Sequence, residues 1–102
     1  MDSLAALADP TRRRIVETLA EGALSSGEIA SRFSISAPAI SQHLTTLRLA
    51  WLVRVRAEAQ RRIYELDLDG VDEMSAWIAQ IRRFWSTRLD ALETQLRTEK
   101  TT

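Results

Sequence analysis

The sequence predicts a mainly α-helical fold with one small β-hairpin, followed by a long C-terminal helix. Apolar residues recur every three or four positions between residues 10 and 50, which is the period of amphipathic helices. Between residues 52 and 66 they alternate with polar residues, and from residue 71 to 96 the helical period returns without glycine or proline. At 102 residues and 45% hydrophobic content, the chain is expected to form a single domain spanning residues 1–102.

Composition excludes several classes of protein. The sequence contains no cysteine, so it can form neither a disulfide nor a thiolate metal site. Its longest uninterrupted apolar run, residues 49–53, is too short to span a bilayer, and we expect a cytoplasmic protein without membrane contact. The 14 basic and 14 acidic residues cancel, but residues 34–66 carry five arginines against two glutamates, a local charge of +3.

The first helix is predicted to begin after Asp9 and to end before Gly22. Asp9 can accept hydrogen bonds from free backbone amides, and Pro10 occupies a position where its missing N–H costs nothing. Ile15 and Leu19 belong to the apolar side of this helix.

Two further helices are predicted within residues 25–50. Ser25 and Glu28 have the spacing of a capping box, which indicates the start of a short helix. Ser36 can cap the next helix, whose apolar stripe comprises Ile40, Leu44 and Leu47. Two such helices joined by a turn of three or four residues have the outline of a helix-turn-helix.

A hairpin is predicted over residues 52–66. Val53 and Val55 alternate with Arg54 and Arg56, and a second alternating run follows a polar break. A helix-turn-helix followed by a two-stranded wing is the order of elements in a winged helix-turn-helix domain.

The last helix is predicted over residues 70–97. Its apolar stripe, widened by Trp77 and Phe84, comprises Met74, Ile78, Ile81, Trp85, Leu89, Leu92 and Leu96. Its 26 residues without glycine or proline would extend roughly 39 Å, whereas a 70-residue body has a radius of gyration of about 11 Å. The surplus apolar surface is most simply buried against a second copy, which predicts a homodimer.

The third predicted helix carries a short, polar and nearly uncharged face that suits the reading of base edges in duplex DNA. Its candidate DNA-binding residues are Ser36, Ala37, Ser41, Gln42, His43, Thr45 and Arg48. Phosphate and minor-groove contacts are expected from the wing, from Arg54, Arg56, Gln60, Arg61 and Arg62. The alternatives are an ordinary solvated helix face and a solubilising strand face.

Catalysis and metal binding find little support in the sequence. His43 is the only histidine, and it has no nucleophile or second metal ligand at a readable spacing. The acidic residues Asp67, Asp69, Asp72 and Glu73 do not match an EF-hand, and they favour a helix N-terminus instead. We therefore expect no enzyme activity, no cofactor and no bound metal.

Several segments together resemble the arsenic-repressor (ArsR) family of winged-helix repressors. They are residues 8–12 (ADPTR), residues 41–44 (SQHL) with Leu47 and Arg48, residues 52–53 (LV) and residues 61–66 (RRIYEL). The resemblance runs from residue 3 to 97, and residues 82–92 look like a cysteine-free branch. It implies a dimer clasped by the first and last helices, including Leu4 and Leu7, that represses from an inverted repeat. It also implies major-groove roles for Ser41, Gln42 and His43.

The sequence departs from the family pattern in three places. Trp51 stands where the family usually has a glycine that closes the recognition helix, so we expect the helix end to be rebuilt. The wing tip, residues 57–60, also lacks the usual glycine. The cysteines and histidines of the metal-sensing members are absent from residues 23–29 and from the last helix, so no metal response is expected.

Two further hypotheses about function remain open. The neutral net charge favours a protein-interaction adaptor that keeps the winged-helix body. A DNA-binding protein should lose affinity steeply as salt increases, so a salt titration distinguishes the two functions. Within the repressor reading, Trp77, Phe84 or Trp85 could line a pocket for an unknown small-molecule effector, although such residues at helical spacing are more often core.

Overall fold

The structure is a computed structural model that describes residues 3–100, and these divide into two compact units, with the boundary between residues 72 and 73. The elements are α1 (Ser3–Ala6), α2 (Pro10–Ala20), β1 (Leu24–Ser25), α3 (Ser26–Ser31), α4 (Ala37–Leu49), β2 (Val53–Glu58), β3 (Arg61–Leu66) and α5 (Leu68–Lys100). The order predicted from the sequence, a helix-turn-helix, a hairpin and a long last helix, is confirmed.

Helices α2, α3 and α4 begin at the residues that the sequence predicts. The Asp9 carboxylate accepts hydrogen bonds from the amides of Thr11 (2.8 Å) and Arg12 (3.1 Å), and the bond from the Arg12 amide lowers the pKa of Asp9. Both bonds of the capping box between Ser25 and Glu28 are present. Each cap satisfies backbone amides that would otherwise lack a partner, which fixes where the helix starts.

In the core of the first unit, one side of each of the helices α2, α3 and α4 packs against the sheet. Its most deeply buried side chains are Ile15, Ile29, Ile40, Leu44, Leu47, Leu52 and Val53. The apolar stripe predicted for the third helix is therefore wholly internal. This burial leaves the opposite side of α4 facing solvent.

The sheet has three antiparallel strands in the order β1-β3-β2. The hairpin of β2 and β3 was predicted, but the short strand β1 was not. In β1, Leu24 lies opposite Tyr64 and Ser25 lies opposite Ile63. A strand of two residues is too short to show an alternating pattern, so nothing in the local sequence indicates it.

The expectation that the end of α4 is rebuilt at Trp51 is wrong. Trp51 itself adopts the left-handed conformation, with φ of 63°. Its amide donates to the Arg48 carbonyl and the Leu52 amide donates to the Leu47 carbonyl, both at 3.1 Å. These are the two bonds of a Schellman motif, and burial of Leu47 and Leu52 adds its usual apolar contact. The helix therefore keeps the glycine-type cap and accepts the backbone strain of a tryptophan.

Helix α5 starts two residues earlier than predicted, so Gly70 lies inside its first turn. A Cβ atom on Gly70 would lie 1.6 Å from the Trp51 carbonyl oxygen, and the Asp67 amide donates to the Leu52 carbonyl at 2.9 Å. Glycine is thus required because the corner after α4 packs directly against this turn. Asp67 accepts a 3.4 Å bond from the Gly70 amide, in agreement with the helix N-terminus expected for the acidic residues.

The second unit consists of helix α5 from residue 73 onwards. The helix continues to Lys100, past the predicted end at residue 97, while residues 101 and 102 lie outside the described part of the chain. Its exposed apolar side chains are Trp77, Ile78, Ile81, Phe84, Trp85, Leu89, Leu92 and Leu96. Among residues 3–100, no helix is both long and apolar enough to cross a membrane.

Candidate nucleic-acid interface

The exposed side of α4 carries small polar groups and one positive charge. Ser36 caps the helix by accepting a bond from the Ala39 amide at 3.3 Å. The exposed candidates that follow are Ala37, Ser41, Gln42, Thr45 and Arg48. Ser41 and Gln42 make no side-chain hydrogen bond in residues 3–100, whereas the Thr45 hydroxyl donates to the Ser41 carbonyl at 3.0 Å. Ser41 and Gln42 therefore keep all their side-chain donors and acceptors for a partner.

His43 differs from its neighbours on α4. It is half-buried, and its Nδ1 lies 3.3 Å from a terminal nitrogen of Arg12 on α2. Two residues along an α-helix correspond to a rotation of about 200°, so His43 lies well away from Ser41 around the helix. The structure thus groups Ser41, Gln42 and Thr45 on one face and sets His43 against α2.

Three of the four wing arginines form ion pairs with carboxylates of the same chain. Arg54 contacts Glu65 at 3.0 Å, Arg56 contacts Glu58 at 2.6 Å, and Arg61 contacts Glu28 at 2.6 Å. The hydrogen bond to Glu58 raises the pKa of Arg56. The bond from the Ser25 amide is the largest cause that lowers the pKa of Glu28, and the Arg61 charge adds to it. These arginines are partly neutralised before any partner arrives.

Arg62 lies on the other face of the wing. In the hairpin register Arg54 pairs with Glu65, Ala57 with Arg62 and Glu58 with Arg61. Because side chains alternate along a strand, Arg54, Arg56 and Arg61 share one face and Arg62 shares the other with Val55 and Tyr64. Arg62 is exposed and has no ion pair within the described chain.

The wing tip turns at two exposed residues, Ala59 and Gln60, between the paired residues Glu58 and Arg61. Ala59 has φ of 56°, a left-handed conformation in which glycine would be unstrained. The predicted wing residue Gln60 follows it directly, at the end of the hairpin.

The residues predicted for a dimer surface are distributed over both units. In the first unit Leu4 is exposed on α1 and Leu7 is half-buried just after it. In the second unit Met74 is half-buried, and the exposed residues are Trp77, Ile78, Ile81, Trp85, Leu89 and Leu92. Trp77, Phe84 and Trp85 are accordingly not core within one chain, and their side chains face solvent.

Sequence reasoning missed two features of this region. It identified Glu28 only as a helix cap, although its carboxylate also holds Arg61, 33 residues later. It gave Arg12 no role, although Arg12 contacts both Ala6 and His43. Neither contact leaves a local signal, because both join segments that only the tertiary fold brings together. No group of three or more histidine and acidic residues in residues 3–100 could hold a metal ion.

Sequence comparisons give matches to known regulators. A helix-turn-helix domain model matches residues 7–56. An HTH-type transcriptional regulator of Mycobacterium tuberculosis is 48% identical over 84 residues, 82% of this chain and 76% of the relative. The transcriptional repressor SdpR of Bacillus subtilis is 36% identical over 73 residues, 72% of this chain and 81% of the repressor.

Solved structures give the same result. An ArsR-like transcriptional regulator from Rhodococcus has a TM-score of 0.78 at 27% identity, with 89% of this chain and 86% of that one covered. A homodimeric winged helix-turn-helix DNA-binding domain from Mycobacterium bovis has a TM-score of 0.64 at 26% identity, with coverages of 78% and 73%. The predicted winged helix-turn-helix fold is confirmed.

Proposed function

This chain belongs to the ArsR family of winged helix-turn-helix transcriptional regulators, and we propose that it is a homodimeric repressor which binds an inverted-repeat operator in duplex DNA. The repressor role follows the named activity of the Bacillus subtilis relative. We expect it to work in the cytoplasm, without a cofactor.

The observation that carries the proposal is the exposed, nearly uncharged polar face of α4. Ser41 and Gln42 are exposed and unengaged, and Thr45 keeps its acceptor and its methyl group. A Gln amide can pair with adenine in the major groove, a Ser hydroxyl can donate or accept, and a Thr methyl can contact the methyl group of thymine. This face is therefore proposed to supply the sequence specificity.

Affinity that does not depend on sequence is proposed to come from Arg48 on α4 and Arg62 on the wing. Both are exposed and have no ion pair within the described residues, so phosphate contact costs them no internal partner. Arg54, Arg56 and Arg61 would have to exchange a carboxylate for a phosphate, which makes them weaker contributors.

The dimer is proposed to form through the apolar stripe of α5, together with Leu4 and Leu7. The exposed side chains of α5 would form an unusually large apolar surface for a monomer. Two recognition helices related by a two-fold axis would read half-sites about one helical turn apart, roughly 34–36 Å. An inverted repeat is the DNA symmetry that matches such a dimer.

The test is fluorescence anisotropy of labelled DNA from the region upstream of this chain's own coding sequence, at two salt concentrations, beside a scrambled duplex. Preferential and salt-sensitive binding to the native duplex is expected. A reporter driven by that DNA should be lower in the presence of the protein. Equal, weak binding to both duplexes would contradict the proposal and favour the adaptor reading.

A further inference from the structure

Arg12 joins three helices of the first unit. It lies in the first turn of α2, where its amide donates to the cap residue Asp9. Its Nε donates to the carbonyl of Ala6, the last residue of α1, at 2.6 Å. A terminal nitrogen of the same guanidinium lies 3.3 Å from Nδ1 of His43 on α4. One side chain thus connects the end of α1 with the middle of α4.

The contact with Arg12 favours one tautomer of the His43 ring. A guanidinium can donate hydrogen bonds but cannot accept them, so Nδ1 of His43 must be the acceptor. A neutral imidazole that accepts this bond at Nδ1 carries its proton on Nε2. Nε2 makes no hydrogen bond within residues 3–100, and no side-chain nitrogen there is both buried and without a partner. Nε2–H therefore opens to solvent as a donor.

A second contact joins α1 to α4. The Ser3 hydroxyl donates to the Ala50 carbonyl at the C-terminal cap of α4, at 3.1 Å. α1 is therefore tied to α4 directly at its first residue and through Arg12 at its last. A displacement of α1 would have to move α4 or break one of these bonds.

We infer that Arg12 is a positioning residue that couples α1 to the DNA-reading helix α4 and holds His43 as the Nε2–H tautomer. The inference rests on the proposed function, in which α4 reads DNA and Leu4 on α1 meets the second copy. Dimer contact at α1 then sets the position of α4 through Arg12. We call the contacts of Arg12 with Ala6 and His43 the Arg12 clamp. The main role of His43 is to accept the bond from Arg12. Towards DNA it can present only the Nε2–H donor, which suits a phosphate oxygen or a purine N7.

The first experiment observes the tautomer and needs no substitution. His43 is the only histidine, so a long-range proton–nitrogen NMR spectrum of the ¹⁵N-labelled protein at mildly alkaline pH contains one imidazole pattern. The protonated nitrogen is expected to be Nε2, and the Nδ1–H population is expected to rise in Arg12→Met. A wild-type spectrum dominated by Nδ1–H would overturn the inference.

The second experiment compares neighbouring arginines. Arg12→Met removes the clamp, and Arg13→Met removes the same charge from an exposed position on the same helix. Arg12→Met should weaken binding to the preferred duplex about tenfold, as for loss of a charge-assisted hydrogen bond, with the salt slope unchanged. Arg13→Met should keep most of the affinity for DNA. If Arg13 contacts a phosphate, the affinity and the salt slope should both decrease. If the two variants lose the same affinity and show the same change in salt slope, Arg12 contributes only its charge, and the inference is overturned.

A conservative variant separates geometry from charge. Arg12→Lys keeps the charge but cannot hold Ala6 and His43 with one planar fork, so most of the tenfold loss is expected to remain. Urea unfolding of each variant shows whether it is folded in the binding assay. If the wild type binds no DNA, the proposed function fails, whereas the tautomer spectrum still tests the clamp.

Discussion

Helix α4 and the wing differ in how many of their polar side chains already have partners within the chain. On α4, Ser41 and Gln42 have no side-chain partner among the described residues, and the face is nearly uncharged. On the wing, three of four arginines already contact carboxylates. The charge of +3 over residues 34–66 therefore overstates the attraction that a phosphate backbone would experience, because Glu28 also offsets it from outside that segment.

This difference separates specificity from affinity. Groups that are free in the unbound protein can pair with bases without losing an internal bond, whereas a paired arginine gains only the difference between a phosphate and a carboxylate. We therefore expect sequence preference to reside on α4 and a modest salt dependence to reside mainly on Arg48 and Arg62.

The largest effect is expected from Gln42→Ala on α4. If Gln42 pairs with a base edge, its loss should weaken binding to the preferred duplex about 10- to 100-fold. The salt slope and the affinity for the scrambled duplex should remain unchanged, because no phosphate contact is removed. Anisotropy titrations with both duplexes measure this. An equal loss on the two duplexes would show that α4 does not carry the specificity.

A smaller effect is expected from Arg62→Ala on the wing. Removing an unpaired arginine from a phosphate contact should weaken binding to both duplexes by a similar, severalfold factor and reduce the salt slope by about 1. Arg61→Ala is the matched control, since Glu28 already holds that guanidinium. A larger change of slope for Arg61 than for Arg62 would contradict the assignment of the two wing faces.

The ion pair between Arg61 and Glu28 can also be tested by changing the carboxylate, with Glu28→Gln. Glutamine preserves the capping box but removes the charge, so Arg61 becomes available to phosphate. Affinity for the scrambled duplex should rise about two- to threefold, with a steeper salt slope, because one more cation contributes. Glu21→Gln is the control, because Glu21 is exposed and has no ion pair in residues 3–100. Identical gains in both variants would reflect net charge alone.

The fold was predictable from the sequence because its signals are local. Asp9, Ser25 and Ser36 cap helices through residues two or three positions away, and the stripe of α4 is visible in its own period. The neutralisation of the wing was not predictable. Arg61 and Glu28 are 33 residues apart and Arg12 and His43 are 31 apart, so only the assembled fold shows these pairs.

The backbone conformation at Trp51 and at the wing tip could be predicted only in part. The absence of glycine at Trp51 and in the wing tip was visible in the sequence, but its consequence was not. Both corners keep the left-handed conformation, with φ of 63° at Trp51 and 56° at Ala59. The packing of Gly70 against the Trp51 carbonyl explains why the corner after α4 cannot relax, since the adjacent turn of α5 fixes its path.

The smallest effect is therefore expected from Ala59→Gly, which changes the wing tip but no polar group. Relief of the left-handed strain should raise the free energy of unfolding by about 1 kcal/mol, partly reduced by the greater freedom of glycine in the unfolded chain. Urea unfolding measures this, with Trp51→Gly as the counterpart at α4. Trp51 is 68% exposed, so replacing it removes little buried surface. A similar increase in the free energy of unfolding is therefore expected for Trp51→Gly. A loss of stability at Trp51 alone would mean that its indole supports the corner through contacts that exceed the strain.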